Sequence, residues 1–203
     1  MPPSARARRG RDNGDRLRGD FLTRASRLTP DLRRALILDA AELLLAEQDP
    51  LTVPMEGVAK AAGTSRPLVH SYFTDRRGLL DAIHIRIIRR LDDWVFHGLE
   101  RADTTHARIA ALVNGVMSFI DQESQAWGIL STSGGYDHPA FHRLRARWVD
   151  SLVDGNPDRM IPAQVVVSAL VLTGGSWVTA GTEPVAVVRV LAPLVTTDTA
   201  PTG

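Results

Sequence analysis

Residues 51–80, LTVPMEGVAKAAGTSRPLVHSYFTDRRGLL, constrain the fold of this chain more than any other stretch. They read as a helix, a tight glycine turn, a short capped helix and then a third helix, the layout of a DNA-reading unit. Val58, Ala59 and Ala62 give the first short helix its apolar face, and Gly63 stands where a left-handed residue ends a helix. Ser65 is placed to accept a hydrogen bond from the next turn, and Pro67 falls in that turn, where a missing N–H costs little. Leu68, Val69 and Phe73 are expected to pin this second helix to the core. Its other face then offers Arg66, His70, Ser71 and Tyr72, a set of donors and one flat ring suited to a groove edge and its phosphates.

The run Gly63-Thr64-Ser65-Arg66-Pro67-Leu68-Val69-His70-Ser71-Tyr72-Phe73, followed by Asp75, Arg76, Arg77 and Leu79-Leu80, resembles the TetR family of transcriptional regulators. The resemblance extends upstream to Ile37-Leu38-Asp39-Ala40-Ala41-Glu42-Leu43-Leu44 and covers roughly residues 30–90. Three positions depart from the family's usual pattern: His70 replaces a common phosphate-binding Tyr, Pro67 a common Gly, and Pro54 a frequent capping Thr. The resemblance implies an all-α fold, with an N-terminal three-helix, homeodomain-like domain and a C-terminal helical domain for effector binding and dimerisation. It also implies a ligand-responsive regulator, a repressor released from a palindromic operator by a small lipophilic or aromatic effector. The DNA-contacting set expected here is Thr64, Ser65, Arg66, Pro67, His70, Ser71, Tyr72 and Arg76. Arg66 is assigned to a guanine edge or its phosphate, and Arg76 lies near a helix N-terminus that itself attracts phosphate.

The formal net charge of +1 conceals an asymmetry. Residues 1–29 hold eight Arg against three Asp, residues 30–101 ten basic against eleven acidic groups, and residues 102–203 six against nine. The segments therefore carry +5, −1 and −3. A basic arm over residues 1–27 suits a DNA backbone or a minor groove, although a solvated tail without a role has the same composition. An acidic second half argues against nucleic acid there. The chain has no Cys, which excludes disulfides and thiolate chemistry. The N-terminal stretch has Arg but no apolar run, so no secretory signal is expected, and the expected location is the cytoplasm, at the nucleoid.

Helical spacing continues throughout. Thr29-Pro30-Asp31 has the form of a helix start, predicting a helix over about 30–47, with further helices over about 54–62 and 65–72. Asp75 is expected to cap a long helix reaching about Arg101, with Leu79, Leu80, Ile83, Ile87, Leu91, Trp94 and Val95 at three- and four-residue spacing. The expected division is a DNA-binding domain over 28–75 and a helical effector and dimerisation domain over 76–203, linked by the helix of about 76–101. Ile109 to Ile120 forms one more face, followed by a loop around residues 131–135 and a helix carrying Phe141, Leu144, Trp148 and Leu152.

Pro162 is expected to open a helix that is apolar on every side, and a last helix spans about Pro184 to Val195. Its Gln, Ser, Thr and Gly content dilutes residues 161–182 below a membrane span. Two such helices in succession predict a two-fold four-helix interface in a homodimer, built from Val167, Val171, Gly174, Gly175, Val187, Leu191 and Leu194.

No phosphate loop or nucleophile elbow is present, and the carboxylates are scattered, so neither an enzyme nor a bound cofactor is expected. His138 and His142 share helical spacing, but no carboxylate completes a metal set. All four Trp lie outside the reading unit, and each taken singly reads as ordinary core. As a set, on helices that surround the family's effector position, they suggest a mostly apolar cavity. Its expected lining is Trp94, Asn114, Met117, Ile120, Trp127, Phe141, His142, Arg145 and Trp177. The competing readings are a constitutive DNA-binding protein without an effector, and a helical binding protein or enzyme on the same scaffold.

Overall fold

The computed structural model describes residues 29–48 and 52–196. The expected basic arm of residues 1–27 lies outside them. Among the described residues the chain is helical and contains no strand. Helix α1, Pro30–Glu47, starts where Thr29 Oγ1 accepts from the Leu32 N–H at 3.4 Å, and it buries Ile37, Leu38, Ala41 and Leu45. Helix α2, Met55–Ala61, begins after Pro54 with no side-chain cap, since proline in that place has none to offer. Gly63 follows in the left-handed region at φ 61°, where a β-carbon would be strained. Helix α3, Arg66–Tyr72, is capped by Ser65 Oγ, which accepts from the Leu68 N–H, and Pro67 occupies its first turn. Helix α4, Arg76–Glu100, is capped by Asp75, whose Oδ1 accepts from the Gly78 N–H at 2.8 Å.

One apolar stripe of α4 serves both halves. Leu79, Ile83, Ile87, Leu91 and Val95 are all buried in one core cluster that is continuous from α1 into the second bundle. Ion pairs reinforce this passage: Arg86 with Asp39 and Glu42 of α1, and Arg90 with Glu42 at 2.9 Å. In the second bundle α5, Thr105–Gln122, packs along α4, followed by α6, Ser124–Thr132, and α7, Pro139–Val153. The stretch before the expected loop is thus itself a helix, ending where Gly134 turns at φ 81°. Helix α8, Met160–Thr179, opens two residues before Pro162. A proline there is still within the first turn, whose N–H groups have no helical acceptor. Helix α9, Pro184–Thr196, lies against α5 and α8. The segment Pro157–Thr179 is long and apolar enough to cross a membrane by length and composition, but Ala163, Val166, Val167, Leu170 and Val171 pack into the protein's own core.

That packing corrects the expected interface. Val167, Val171, Val187 and Leu191 are buried within the protomer. Gly174 and Gly175 also face inward: a β-carbon at Gly174 would stand 3.0 Å from Ile120 Cδ1, and one at Gly175 would stand 3.3 Å from the Trp127 indole nitrogen. These glycines admit neighbours of the same chain, and of the seven residues only Leu194 points outward. The exposed face instead carries Ile161, Val165 and Leu172 on α8, with Val185, Val190 and Leu194 on α9. A helix apolar all round has no polar side to mark which face turns inward, so α5 and α6 decide it.

Candidate functional site

Helix α3 is held from below and open above. Val69 is fully buried, Phe73 is buried beneath the Arg34 guanidinium at 5.3 Å from its ring centroid, and Leu68 is half-buried. Ser65, Arg66, Pro67 and Ser71 are exposed, while Thr64 and His70 are half-buried at the edges. His70 Nδ1 donates to the Thr74 carbonyl at 3.1 Å, which leaves Nε2 to accept from Arg66 Nε at 3.4 Å. The imidazole therefore braces the arginine one turn away and leaves its terminal amino groups facing outward. This is chemistry for a phosphate or a purine edge, because a guanidinium offers parallel donors in one plane. Ser71 Oγ is engaged with the Leu68 carbonyl at 2.7 Å, so its hydroxyl proton is already used.

Tyr72 requires a correction. On the sequence it belongs to the outward face, but its ring is half-buried and packs against the core. Arg76 is exposed at the start of α4, beside Arg77.

The nine residues expected to line an effector cavity do not converge. Met117, Ile120, Trp127 and Phe141 are buried in close-packed core. Phe119, Trp127, Tyr136 and Phe141 form a chain of ring contacts at centroid separations of 5.3–6.5 Å, and burial pushes the Tyr136 phenol up to about 12. Arg145 donates to Ser168 Oγ at 3.0 Å and Trp177 is half-buried. Trp94, Asn114 and His142 are exposed, and Asn114 spends its amide on the Ala110 carbonyl at 2.8 Å. They fall off the inner stripes of their helices, a matter of one residue in a 3.6-residue period. Clefts lie instead at helix junctions. One of about 270 Å³ is lined by Met117, Asp121, Val178, Thr182 and Glu183, and another of about 270 Å³ lies between α1, α4 and α6 beside Arg86 and Arg90. A larger one than either, about 630 Å³, runs between α4 and α7. Apart from Met117, none of the nine residues lines these three.

A polar junction between α4 and the second bundle was not singled out in the sequence. His84 of α4 donates from Nε2 to Ser133 Oγ at 2.6 Å, and that hydroxyl passes its own proton to the Ile129 carbonyl. His138 donates from Nε2 to Asp81 at 2.8 Å, and its Nδ1 caps α7 by accepting from the Ala140 N–H at 3.1 Å. The two rings meet edge to face at 5.7 Å. The signal was present in the spacing of Asp81 and His84, but their partners lie far along the chain.

Burial first, and His138 second, hold the His84 imidazole below its ordinary value of 6.5, against the pull of Asp81. The unfolded chain therefore binds more protons than the folded one once the pH falls below about 6.5, and stability is lost in that window. Melting curves between roughly pH 7 and pH 5 should show a steeper fall in midpoint for the wild type than for His84→Gln. Equal slopes would remove His84 as a source of the acid sensitivity.

Residues 37–83 match the family model described as bacterial regulatory proteins, tetR family. The HTH-type transcriptional regulator BetI of Rhizobium meliloti is 33 % identical over 82 residues, which are 40 % of this chain and 40 % of that protein. The chain thus matches less than half the length of this curated relative. Among solved structures, a TetR-like transcriptional regulator from Rhodococcus sp. RHA1 superposes with a TM-score of 0.66 at 18 % identity, covering 83 % of this chain and 96 % of that one. The multidrug binding protein EbrR, complexed with imidazole, gives 0.64 at 15 % identity over 85 % and 94 %. At these identities the superpositions establish a shared fold.

Proposed function

We propose that this chain, whose N-terminal domain is that of the tetR family of bacterial regulatory proteins, is a dimeric, ligand-responsive transcriptional regulator. It represses from a palindromic operator in the bacterial cytoplasm, at the nucleoid. The observation that carries the reading is the outward face of α3, where Arg66 is braced on His70 above a fully buried Val69. Two copies place their α3 helices in successive major grooves, with half-sites roughly 34–36 Å apart or a multiple of that. Thr64, Ser65, His70 and Arg76 surround Arg66 as phosphate and sugar contacts, and Pro67 and Ser71 complete the surface that meets the groove. The Arg-rich residues 1–27 add affinity along the backbone.

The exposed apolar faces of α8 and α9 support the dimer, since six large side chains left in water on two adjacent helices favour a second copy of the same face. An effector acts through α4, which is continuous from the DNA-binding domain into the second bundle. A ligand that favours the conformation with the wrong half-site spacing releases the operator in proportion to its preference. The clefts at the helix junctions support this effector role better than the aromatic set does.

The test is a footprint of the purified protein on fragments of its own genome, followed by Arg66→Ala at the protected site. Protection of a two-fold site is expected. The substitution should cost about 1–3 kcal/mol per half-site and relax the preference at one base position. If no DNA is protected, the regulator reading falls; if Arg66→Ala binds the operator as wild type does, Arg66 is not a base-reading residue.

A further inference from the structure

Asp81, His84, Ser133 and His138 fasten α4 to the turn between α6 and α7, and the neighbours of both histidines fix where their protons sit. Ser133 Oγ gives its own proton to the Ile129 carbonyl at 2.5 Å, so toward His84 Nε2 it can only accept. His138 Nδ1 accepts from the Ala140 N–H, so the proton of that ring sits on Nε2, toward Asp81. Each imidazole has only Nδ1 left for a second proton. On His138 that nitrogen is the cap of α7, and a proton there evicts the Ala140 N–H. On His84, which is 6 % exposed, it sets a cation inside the junction, while Asp81 is already engaged by His138.

Nothing else at the junction absorbs that charge. Helix α6 carries no charged residue. Asp137 in the turn, His142 and Arg143 on α7 and Arg77 on α4 are exposed to solvent. Asp39 and Glu42 of α1 are held by Arg86 and Arg90. Tyr136 keeps its proton, since burial pushes the phenol up to about 12.

We propose that this junction is a proton-operated latch: a proton taken up by the pair of His84 and His138 withdraws the cap of α7 and frees α4 from the turn at Ser133, while the cores on either side stay folded. In the open form both rings meet water, where an imidazole takes up its proton near its ordinary value of about 6.5. Below that pH the open form binds more protons than the closed one and gains population; above it the latch is fully closed. Opening is a property of the junction alone. Only its consequence for DNA, a looser hold of the second bundle on α4, rests on the regulator reading.

Hydrogen exchange on the intact protein tests the latch, with each variant compared with the wild type at the same pH so that intrinsic rates cancel. His84→Gln can still donate to Ser133, and His138→Asn can still cap α7, yet neither replacement titrates. At roughly pH 5, residues 133–142 of the wild type should exchange about tenfold or more faster than those of the double variant, and at about pH 7 the two should match. Residues 109–120, in the core of α5, should be accelerated far less. Circular dichroism verifies that the double variant folds. Should it not fold, the wild type alone decides: the ratio of the two segments' rates, corrected for intrinsic chemistry, must rise about tenfold across the same range. The proposal is overturned if acid accelerates both segments equally, or if the double variant opens as the wild type does. Operator affinity is read separately at both pH values. A loss in the wild type that the double variant lacks couples the latch to DNA, whereas an open latch with unchanged affinity leaves it in place and counts against that coupling.

Discussion

Glutamate at both Leu172 and Val190 should convert the protein into a folded monomer and lower its operator affinity by roughly a hundredfold or more, the loss expected when two linked half-sites become independent. Leu172 is 71 % exposed and Val190 69 % exposed in the protomer, so neither change disturbs the core on which folding depends. In a dimer closed through α8 and α9, each glutamate is carried into the interface by both copies, placing four carboxylates in a largely apolar contact that offers one arginine a copy, Arg189. An unpaired charge in such a place costs several kcal/mol, more than a contact of six apolar residues a side tolerates. Val171 and Leu191, each one residue away in sequence but inward in space, behave differently: 2 % and 5 % exposed, they are expected to unfold the protomer when charged. Sedimentation of both double variants separates the cases. A Leu172→Glu, Val190→Glu protein that sediments as a dimer and holds its operator would place the interface elsewhere.

Valine at Gly115 should destabilise the protein by about 3 kcal/mol, lowering the melting midpoint by roughly 6–12 °C. Gly115 lies within α5 where that helix packs on the α4 backbone. A β-carbon there would stand 2.9 Å from the Trp94 carbonyl oxygen, 3.0 Å from Val95 Cα and 2.8 Å from Val95 Cγ2. Two of those three atoms are backbone, so no rotamer relieves the clash and α4 must move away from α5. Alanine meets the same atoms but regains about 1 kcal/mol of helix propensity, so its net loss should be smaller. Chemical denaturation gives both values. A Gly115→Val protein as stable as wild type would mean that α4 and α5 can separate at little cost, and α4 would then be a poor lever between effector and operator.

The two variants also show where local pattern stops and packing begins. Thr29 before Pro30, Ser65 before a proline-bearing turn and Asp75 before Gly78 are caps whose donors lie within three residues. Helices α1, α3 and α4 were therefore legible to within a residue or two from the sequence. The same holds for the turn at Gly63, and for Arg66 and Val69 on opposite faces of α3, because the period of a helix settles both. Tyr72 was misplaced for a related reason. It ends a helix only seven residues long, and what lies beneath it is supplied by other helices.

The local sequence thus determined that the chain is helical, that α1 to α3 form a helix-turn-helix unit, and that Arg66 lies on its exposed side. Those properties depend on hydrogen bonds and side-chain periodicity within a few residues. Tertiary structure alone decided which side of α8 is core, that Gly174 and Gly175 admit Ile120 and Trp127 of the same chain, and that Gly115 admits the α4 backbone. It also decided that the aromatic residues pack against one another while a cleft opens between α4 and α7. An apolar helix without a polar face has no local preference for its orientation, and a cleft belongs to two helices at once. Both are set by contacts between residues tens of positions apart, whose energies no single segment contains.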